Sequence, residues 1–214
     1  MGKYICKDCE KTIRFFEFPL CPACGYAISP VGTHPHCQRS TSLNGLFALA
    51  HHDGAIKTLI HKAKYQDRFA MLQEGTTILA QHLPTELKTA DVIIPVPLHP
   101  KRQRERGFNQ SEILAKALGK ELDIPTASKV LKRTRYTHAQ MNLKREERLK
   151  NLDGAFELVN PDILRALAQQ RGHQLRILLI DDVTTTRSTL NECAKAIKKH
   201  VRCKIYGIVL AHGK

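Results

Sequence analysis

One stretch of this sequence carries residues whose types and order suit a phosphorylated ligand. Ile177-Leu178-Leu179-Ile180 is an apolar run of strand length. Two adjacent acids follow, Asp181 and Asp182, and then Val183 and a loop of hydroxyl residues: Thr184, Thr185, Thr186, Arg187, Ser188 and Thr189. A helix is predicted from about Ser188 to Lys199. Backbone N–H groups at a helix start, together with Thr and Ser hydroxyls, suit a phosphate dianion. Carboxylates beside a phosphate are repulsive unless they hold hydroxyls or a divalent cation, and ribose hydroxyls meet that need. In open α/β sheets ligands bind at the carboxyl ends of strands, which is where this loop falls.

A second constellation is made of thiols. Cys6-x2-Cys9 and Cys21-x2-Cys24 are separated by eleven residues. Each pair can clamp a tetrahedral metal from a tight turn, so Cys6, Cys9, Cys21 and Cys24 are read as the four ligands of one structural Zn2+. Four thiolates would close the shell and leave no position for a reacting water. Cys37, with His34 and His36 nearby, is read as an unliganded loop thiol because no second Cys pair follows. Replacement of one of the four ligands, or membership of a degenerate second site, is the alternative. Cys193 and Cys203 stand alone and are read as small core residues.

The elements that must position these groups follow from periodicity. Phe47–Ala50 reads as a short strand. Ile56, Leu59, Ile60 and Ala63 recur at helical spacing over Gly54–Tyr65, and a second helix is predicted over Phe69–His82, before Pro84. Asp91–Val96 reads as a buried parallel strand, followed by a polar, basic loop and a helix over Gln110–Leu122. Val130-Leu131 is a candidate short strand. Residues 132–150 are basic with little apolar pattern and read as a surface loop entering a short helix. Arg176–Ile180 and Ile205–Leu210 are the last strands. Strands alternating with helices give an open, mostly parallel α/β sheet flanked by helices. Residues 1–42 are rich in Cys, Pro and Gly and cannot build a core of their own. The expected organisation is a metal module over 1–42 and an α/β domain over 43–214.

The whole chain has 214 residues and a formal net charge of +14. That balance favours polyanions, nucleic acid or phosphorylated small molecules. Aromatic residues make up 6% and Trp is absent, which argues against an extended base-stacking platform. No apolar run approaches the ~20 residues that span a bilayer, so no membrane insertion is expected. The N-terminus has no apolar signal core, so a cytoplasmic location is expected, and reduced thiols there favour metal over disulfides.

Beyond this, the stretch from Ile177 to Thr189 resembles the phosphoribosyl-pyrophosphate (PRPP) motif of type I phosphoribosyltransferases. Pro95-Val96-Pro97-Leu98-His99-Pro100-Lys101-Arg102 with Arg106-Gly107-Phe108-Asn109-Gln110 resembles the ComF/GntX family of competence-associated, phosphoribosyltransferase-like proteins. So do Leu59-Ile60-His61 with Lys64-Tyr65 upstream, and Gln140, Arg145, Arg148 and Asn151–Phe156 downstream. The N-terminal Cys pairs match that family's zinc module. The resemblance covers nearly the whole chain. It implies a type I phosphoribosyltransferase fold with a small N-terminal zinc ribbon, and a link to DNA uptake during natural transformation. Two positions depart from the family pattern: Arg187 stands where Gly is usual, and Leu210-Ala211-His212 stands where the strand usually ends Leu-Ala-Arg.

The resemblance also implies roles. Asp181 and Asp182 would hold the ribose hydroxyls and Thr184–Thr189 the 5′-phosphate of PRPP or a ribose 5-phosphate. Backbone N–H groups around Leu98 and His99 would meet the pyrophosphate, helped by Mg2+, with Arg102 and Arg106 as leaving-group partners. The basic stretch with Arg133, Arg135, Gln140 and Arg145 would close as a lid. Nothing in the sequence names the acceptor. Three functions stay open: a phosphoribosyltransferase, a non-catalytic PRPP sensor, and an adaptor that binds single-stranded DNA. The resemblance also implies a competence helicase as partner.

Overall fold

The computed structural model describes residues 4–65, 69–136 and 152–213. Its elements run α1 (Lys7–Lys11), β1 (Gly45–His51), α2 (Gly54–Tyr65), α3 (Phe69–His82), β2 (Val92–Pro95), α4 (Pro100–Arg106), α5 (Gln110–Leu122), β3 (Leu131–Arg133), β4 (Phe156–Leu158), α6 (Pro161–Arg171), β5 (Leu175–Thr184), α7 (Ser188–Lys198) and β6 (Cys203–His212). Four strands form one sheet in the order β1-β6-β5-β2, and every pair is parallel. β3 and β4 make a separate antiparallel hairpin.

Alternation along the strands builds two cores. On β5, Leu178 and Ile180 face a core shared with α2, α3 and α5, through residues such as Ile56, Leu59, Leu72, Leu79, Leu114 and Leu118. Ile177 and Leu179 face the other core, with Leu164 of α6, Leu190 and Ile197 of α7, and Phe156 and Leu158 of β4. β6 repeats the pattern, with Ile208 and Leu210 on one side and Ile205 and Val209 on the other. Each such side chain is worth ~1.5–3 kcal/mol of burial, which is why a sheet covered on both faces reads as continuous apolar runs. The parallel α/β expectation holds. Cys193 and Cys203 are core residues, as expected.

Two elements differ from expectation in ways that matter for the site. The polar stretch after β2 contains helix α4, with no buried residue. His99 caps it by accepting from the Lys101 N–H at 3.2 Å, Pro100 starts it, and Gly107 ends it at φ 76°. It lacks an apolar stripe, so only its Pro-start and Gly-stop punctuation marks it. β5 extends beyond Ile180, and Asp181–Thr184 remain in it: Asp181 pairs with Val209 and Thr184 with His212.

The N-terminal residues lie along the β1 edge. Leu20 and Leu46 exchange backbone hydrogen bonds at 2.8 and 3.2 Å, and the Phe16 N–H donates to the Leu49 carbonyl at 3.0 Å. Ile5, Ile13 and Leu20 are buried in the cores of the sheet, which supplies the apolar burial that residues 1–42 cannot generate alone. Among the described residues, no helix is long and apolar enough to cross a membrane.

Candidate functional site

The carboxyl ends of β5 and β2 and the helix starts beside them place the acids. Asp182 is 8% exposed, and Asp181 is half-buried. Asp181 Oδ1 accepts from the Ser111 hydroxyl at 2.8 Å and from the Asp182 N–H at 2.9 Å. Asp182 Oδ1 accepts from the Val183 N–H at 2.7 Å. Ser111 is held in turn: its N–H donates to Asn109 Oδ1 at 3.1 Å, and Asn109 Nδ2 donates to the Val96 carbonyl at 3.0 Å. Asn109 therefore caps α5 and ties the end of β2 to Ser111, which steadies Asp181. The sequence reading missed Asn109 and Ser111 as site residues; an Asn N-cap followed two positions on by a hydroxyl was the available signal.

The hydroxyl loop leads into α7. Thr186 Oγ1 and Ser188 Oγ lie 2.8 Å apart. Arg187 occupies the N-cap position with φ 64° and no side-chain cap. The left-handed region costs a non-Gly residue about 1–2 kcal/mol, so contacts must hold it there. Its Nη1 donates to His212 Nε2 at 3.1 Å, and its Nη2 donates to the Ala23 carbonyl at 3.3 Å. The two departures from the family pattern, Arg187 and His212, thus touch each other. Burial, with the charge of Arg187 and the neighbouring His51, brings His212 down to about 4. The ring is therefore neutral near pH 7 and can accept this hydrogen bond.

The other side of the site is cationic. Arg133 on β3 lies over the Phe156 ring at 5.4 Å. Burial lowers its pKa and Arg102 adds to that, while Cys193 and Asp181 oppose it, so Arg133 lies near both Arg102 and Asp181. His99 is lowered by burial first and then by Arg133 and the basic residues of α4. Its ring packs edge-on to Tyr136 at 5.0 Å. Leu98 lies beside it in the half-buried loop that ends β2. Arg102 and Arg106, one helical turn apart, are half-buried, whereas Lys101 and Arg104 are exposed. Arg106 donates to Gln110 Oε1 at 3.4 Å. Arg133 thus lies near His99 and Arg102 on one hand and Asp181 on the other. Gln140 and Arg145 lie outside the described residues.

The thiols assemble differently from the expected set. Cys21, Cys24, His34 and Cys37 place one ligand atom each within 4.8 Å of one another. Cys6 and Cys9 do not join them; both are exposed on and beside α1, with the Cys9 N–H donating to Cys6 Sγ at 3.5 Å. The physical reason is local. His34 and Cys37 have the same two-residue spacing as a Cys knuckle, and a 3₁₀ turn over Pro35–Ser40 closes it, the Cys37 N–H donating to the His34 carbonyl at 2.8 Å. His34-x2-Cys37 was the signal, hidden by the mixed residue types. Burial acts to raise the Cys21 thiol, but the N–H groups of Cys24, His34 and Ala23 turned on its sulfur outweigh this and bring it to about 6. Burial and the neighbouring Cys24 and Cys21 sulfurs push Cys37 up to about 11. Three sulfurs and an imidazole nitrogen at this closeness form a donor set that suits a tetrahedral metal ion.

Comparison with known proteins adds relatives that match along most of the chain. The chain is 32% identical over 202 residues to "Competence protein F" of Haemophilus influenzae, covering 91% of this chain and 84% of that protein. It is 30% identical over 207 residues to "DNA utilization protein YhgH" of Escherichia coli K12, covering 92% and 85%. "Competence protein ComFC" of Streptococcus pneumoniae is 24% identical over 198 residues. No protein-family model matches the sequence. Among solved structures, a glutamine PRPP amidotransferase from B. subtilis is similar with a TM-score of 0.41 at 15% identity, over 64% of this chain and 25% of that one. A Leishmania donovani UMP synthase is similar with a TM-score of 0.35 at 15% identity, over 72% and 24%. The chain thus spans about a quarter of those two structures, but more than four-fifths of its curated relatives. On the sequence relationship to Competence protein F and the DNA utilization proteins, the chain belongs to the ComF family of competence proteins.

Proposed function

We propose that this protein binds PRPP at the β5–α7 loop and transfers its phosphoribosyl group to an acceptor during the handling of incoming DNA. The observation that carries the reading is the junction itself. Two oriented acids at the carboxyl end of a parallel strand are followed by clustered hydroxyls and by a helix start that lacks a side-chain cap. Thr184–Thr189 bind the 5′-phosphate through backbone N–H groups and hydroxyls. Asp181 and Asp182 accept the ribose hydroxyls, with Ser111 and the local N–H groups setting their orientation beforehand. Arg102 and Arg133, with the loop at Leu98 and His99, face the departing pyrophosphate. The bond from ribose C1 to pyrophosphate breaks with its electron pair leaving on the pyrophosphate. The acceptor's lone pair forms the new bond to C1, and the acceptor proton passes to solvent. The carboxylates of Asp181 and Asp182 are hard oxygen donors that fit Mg2+, which when bound offsets charge on the leaving group.

In the same reading Cys21, Cys24, His34 and Cys37 hold one structural Zn2+, and metal analysis should return about one zinc per chain. Two zincs would put Cys6 and Cys9 back among the ligands. The main test is calorimetry with ribose 5-phosphate and Mg-PRPP, paired with pyrophosphate release on candidate acceptors. Asp181→Asn with Asp182→Asn should weaken binding by about 3 kcal/mol or more, since hydrogen bonds to charged groups contribute ~1.5–3 kcal/mol each. Unchanged affinity in the double variant would remove the basis for the assignment.

A second reading, single-stranded DNA as direct partner, is favoured by α4. Lys101, Arg102, Arg104 and Arg106 crowd seven residues next to Arg133, beside the proposed ligand mouth. Binding through phosphates should fall steeply with salt and show little sequence preference. Arg133→Glu with Arg135→Glu should weaken it. If heparin competes equally and PRPP has no effect, the surface is a general polyanion attractor and this second reading is lost.

A further inference from the structure

Arg187 belongs to the phosphate loop by position, yet its guanidinium is seated in the metal module. The residue is 8% exposed. Its Nη2 reaches the carbonyl of Ala23, which lies between Cys21 and Cys24. Gly25, the residue after Cys24, lies so close that a Cβ there would be 2.5 Å from Nη1. Only glycine leaves room for the guanidinium, and at φ 82° only glycine takes that backbone comfortably. The turn forming this seat is the metal knuckle itself: the Gly25 N–H donates to the Cys21 carbonyl and the Cys21 N–H to the Tyr26 carbonyl, both at 2.8 Å. At its other end Arg187 is the N-cap of α7, with its carbonyl accepting from the Asn191 N–H at 3.0 Å. A residue in the left-handed region stays there only while its surroundings insist on it. Here the surroundings are the knuckle and His212.

We propose that Arg187 is a positioning residue through which the Cys21–Cys24–His34–Cys37 cluster sets the shape of the phosphate loop, so that metal occupancy and ribose-phosphate affinity are coupled. The proposal rests on the phosphate reading of the loop and on the metal reading of the cluster. With metal bound, the knuckle is rigid and the guanidinium is clamped, which holds the Arg187 backbone and the first N–H groups of α7 in place. Without metal, the turn carrying Ala23 and Gly25 loosens and the strained residue relaxes, taking the loop with it. Coupling of this kind is reciprocal, so a ribose phosphate should also tighten the metal. A second joint between module and α7 does not involve the knuckle: Asn191 Oδ1 accepts from Thr41 Oγ1 at 2.9 Å and from the Ser42 N–H at 2.6 Å. It keeps the module docked whatever the metal does, which makes the Arg187 contact separable.

The test uses the full chain, zinc-loaded and chelator-stripped, with two readouts. Amide hydrogen exchange over residues 185–191 reports loop order without any ligand, and calorimetry with ribose 5-phosphate reports affinity. In the wild type, stripping should speed exchange in the loop and weaken ribose 5-phosphate by about tenfold, within the usual range of coupling between sites. Arg187→Gly keeps the left-handed backbone accessible but removes the guanidinium. While still holding its zinc, this variant should show the faster exchange of the stripped wild type, and stripping it should add no further change in the loop. Arg187→Lys, which keeps a charge but not the two-pronged donor, should resemble Arg187→Gly. A loop indifferent to zinc in the wild type, or equally responsive in Arg187→Gly, overturns the proposal. Exchange that follows zinc as expected, in a protein that does not bind ribose 5-phosphate when zinc-loaded, upholds the strut and overturns the phosphate reading.

Discussion

The two sides of the candidate site are built on opposite physical terms. On the proposed phosphate side, β5 and the start of α7 stand on core residues: Ile177, Leu178, Leu179, Ile180 and Leu190 are all fully buried. The acids there are held by hydrogen bonds from Ser111 and from backbone N–H groups. On the proposed pyrophosphate side, α4 has no buried residue and carries its charge on side chains that are half-buried at most. One side is fixed by packing and the other by capping and a proline start. Under the proposed reading, the packed half would recognise the sugar phosphate by shape, and the weakly anchored cationic half would attract the anion that the first half positions.

The difference sets the scale of what mutation should do. Leu190→Ala removes a fully buried side chain from the first turn of α7, where its methyl groups pack near Gly207. It should cost about 2–5 kcal/mol, read as a lowered denaturation midpoint with an unchanged m-value. Arg104→Ala on the exposed face of α4 should stay within about 0.5 kcal/mol of the wild type. Equal effects would mean that α4 is as deeply anchored as α7, and the contrast would fail. Next in size is Ser111→Ala. Ser111 is 3% exposed and its hydroxyl is a donor to Asp181, so its loss should cost about 1–3 kcal/mol in stability. Ribose 5-phosphate affinity should fall in parallel if Ser111 orients the acid. A loss of stability with unchanged affinity would make Ser111 a purely structural group.

How far the sequence revealed each side follows from the same contrast. The continuous apolar runs at Arg176–Ile180 and Asp91–Val96 marked buried strands because burial on both faces leaves no room for polar residues. The acids and hydroxyls were legible because they follow such a run directly. The sequence of α4 reads as a loop because a helix without an apolar stripe has no period to detect. The expected set of Cys6, Cys9, Cys21 and Cys24 differs from the cluster that the fold assembles for a different reason. His34-x2-Cys37 carries the knuckle spacing without the paired thiols, and only the fold shows that Cys6 and Cys9 point elsewhere. The contact of Arg187 with Ala23 and His212 joins residues 164 and 25 positions apart, and no local pattern encodes it.

The next effect tests whether the phosphate side stays fixed as pH changes. His212 has its pKa lowered from 6.5 to about 4, first by burial and then by Arg187 and His51. The folded state therefore prefers the neutral ring. The stabilisation this gives is complete above about pH 6.5, declines as pH falls and is lost through about pH 4. The ring is only partly buried, so the expected loss is about 1 kcal/mol rather than the full linkage value. Denaturant titrations at pH 7.5, 5.5 and 4 should show this slope in the wild type and a shallower one in His212→Gln. Identical slopes would mean that other groups carry the pH dependence and that the Arg187–His212 contact contributes little.

The smallest effect concerns the cationic side, and it separates ligands rather than stabilities. Arg102 and Arg106 lie one turn apart on α4, and Arg102 is close enough to Arg133 to lower its pKa. Ribose 5-phosphate lacks the pyrophosphate that these guanidinium groups would face. Arg102→Ala with Arg106→Ala should therefore weaken Mg-PRPP a few-fold and leave ribose 5-phosphate unchanged. The effect is small because half-exposed charges are screened and each contributes ~1 kcal/mol or less. For the same reason it should shrink further at high salt, while the loss caused by Ser111→Ala should not. If the double variant weakens both ligands equally, α4 acts by supporting the loop rather than by meeting the leaving group. If the PRPP-specific loss persists unchanged in high salt, the arginines are more deeply enclosed around the ligand than their present exposure indicates, and the cationic side closes on binding.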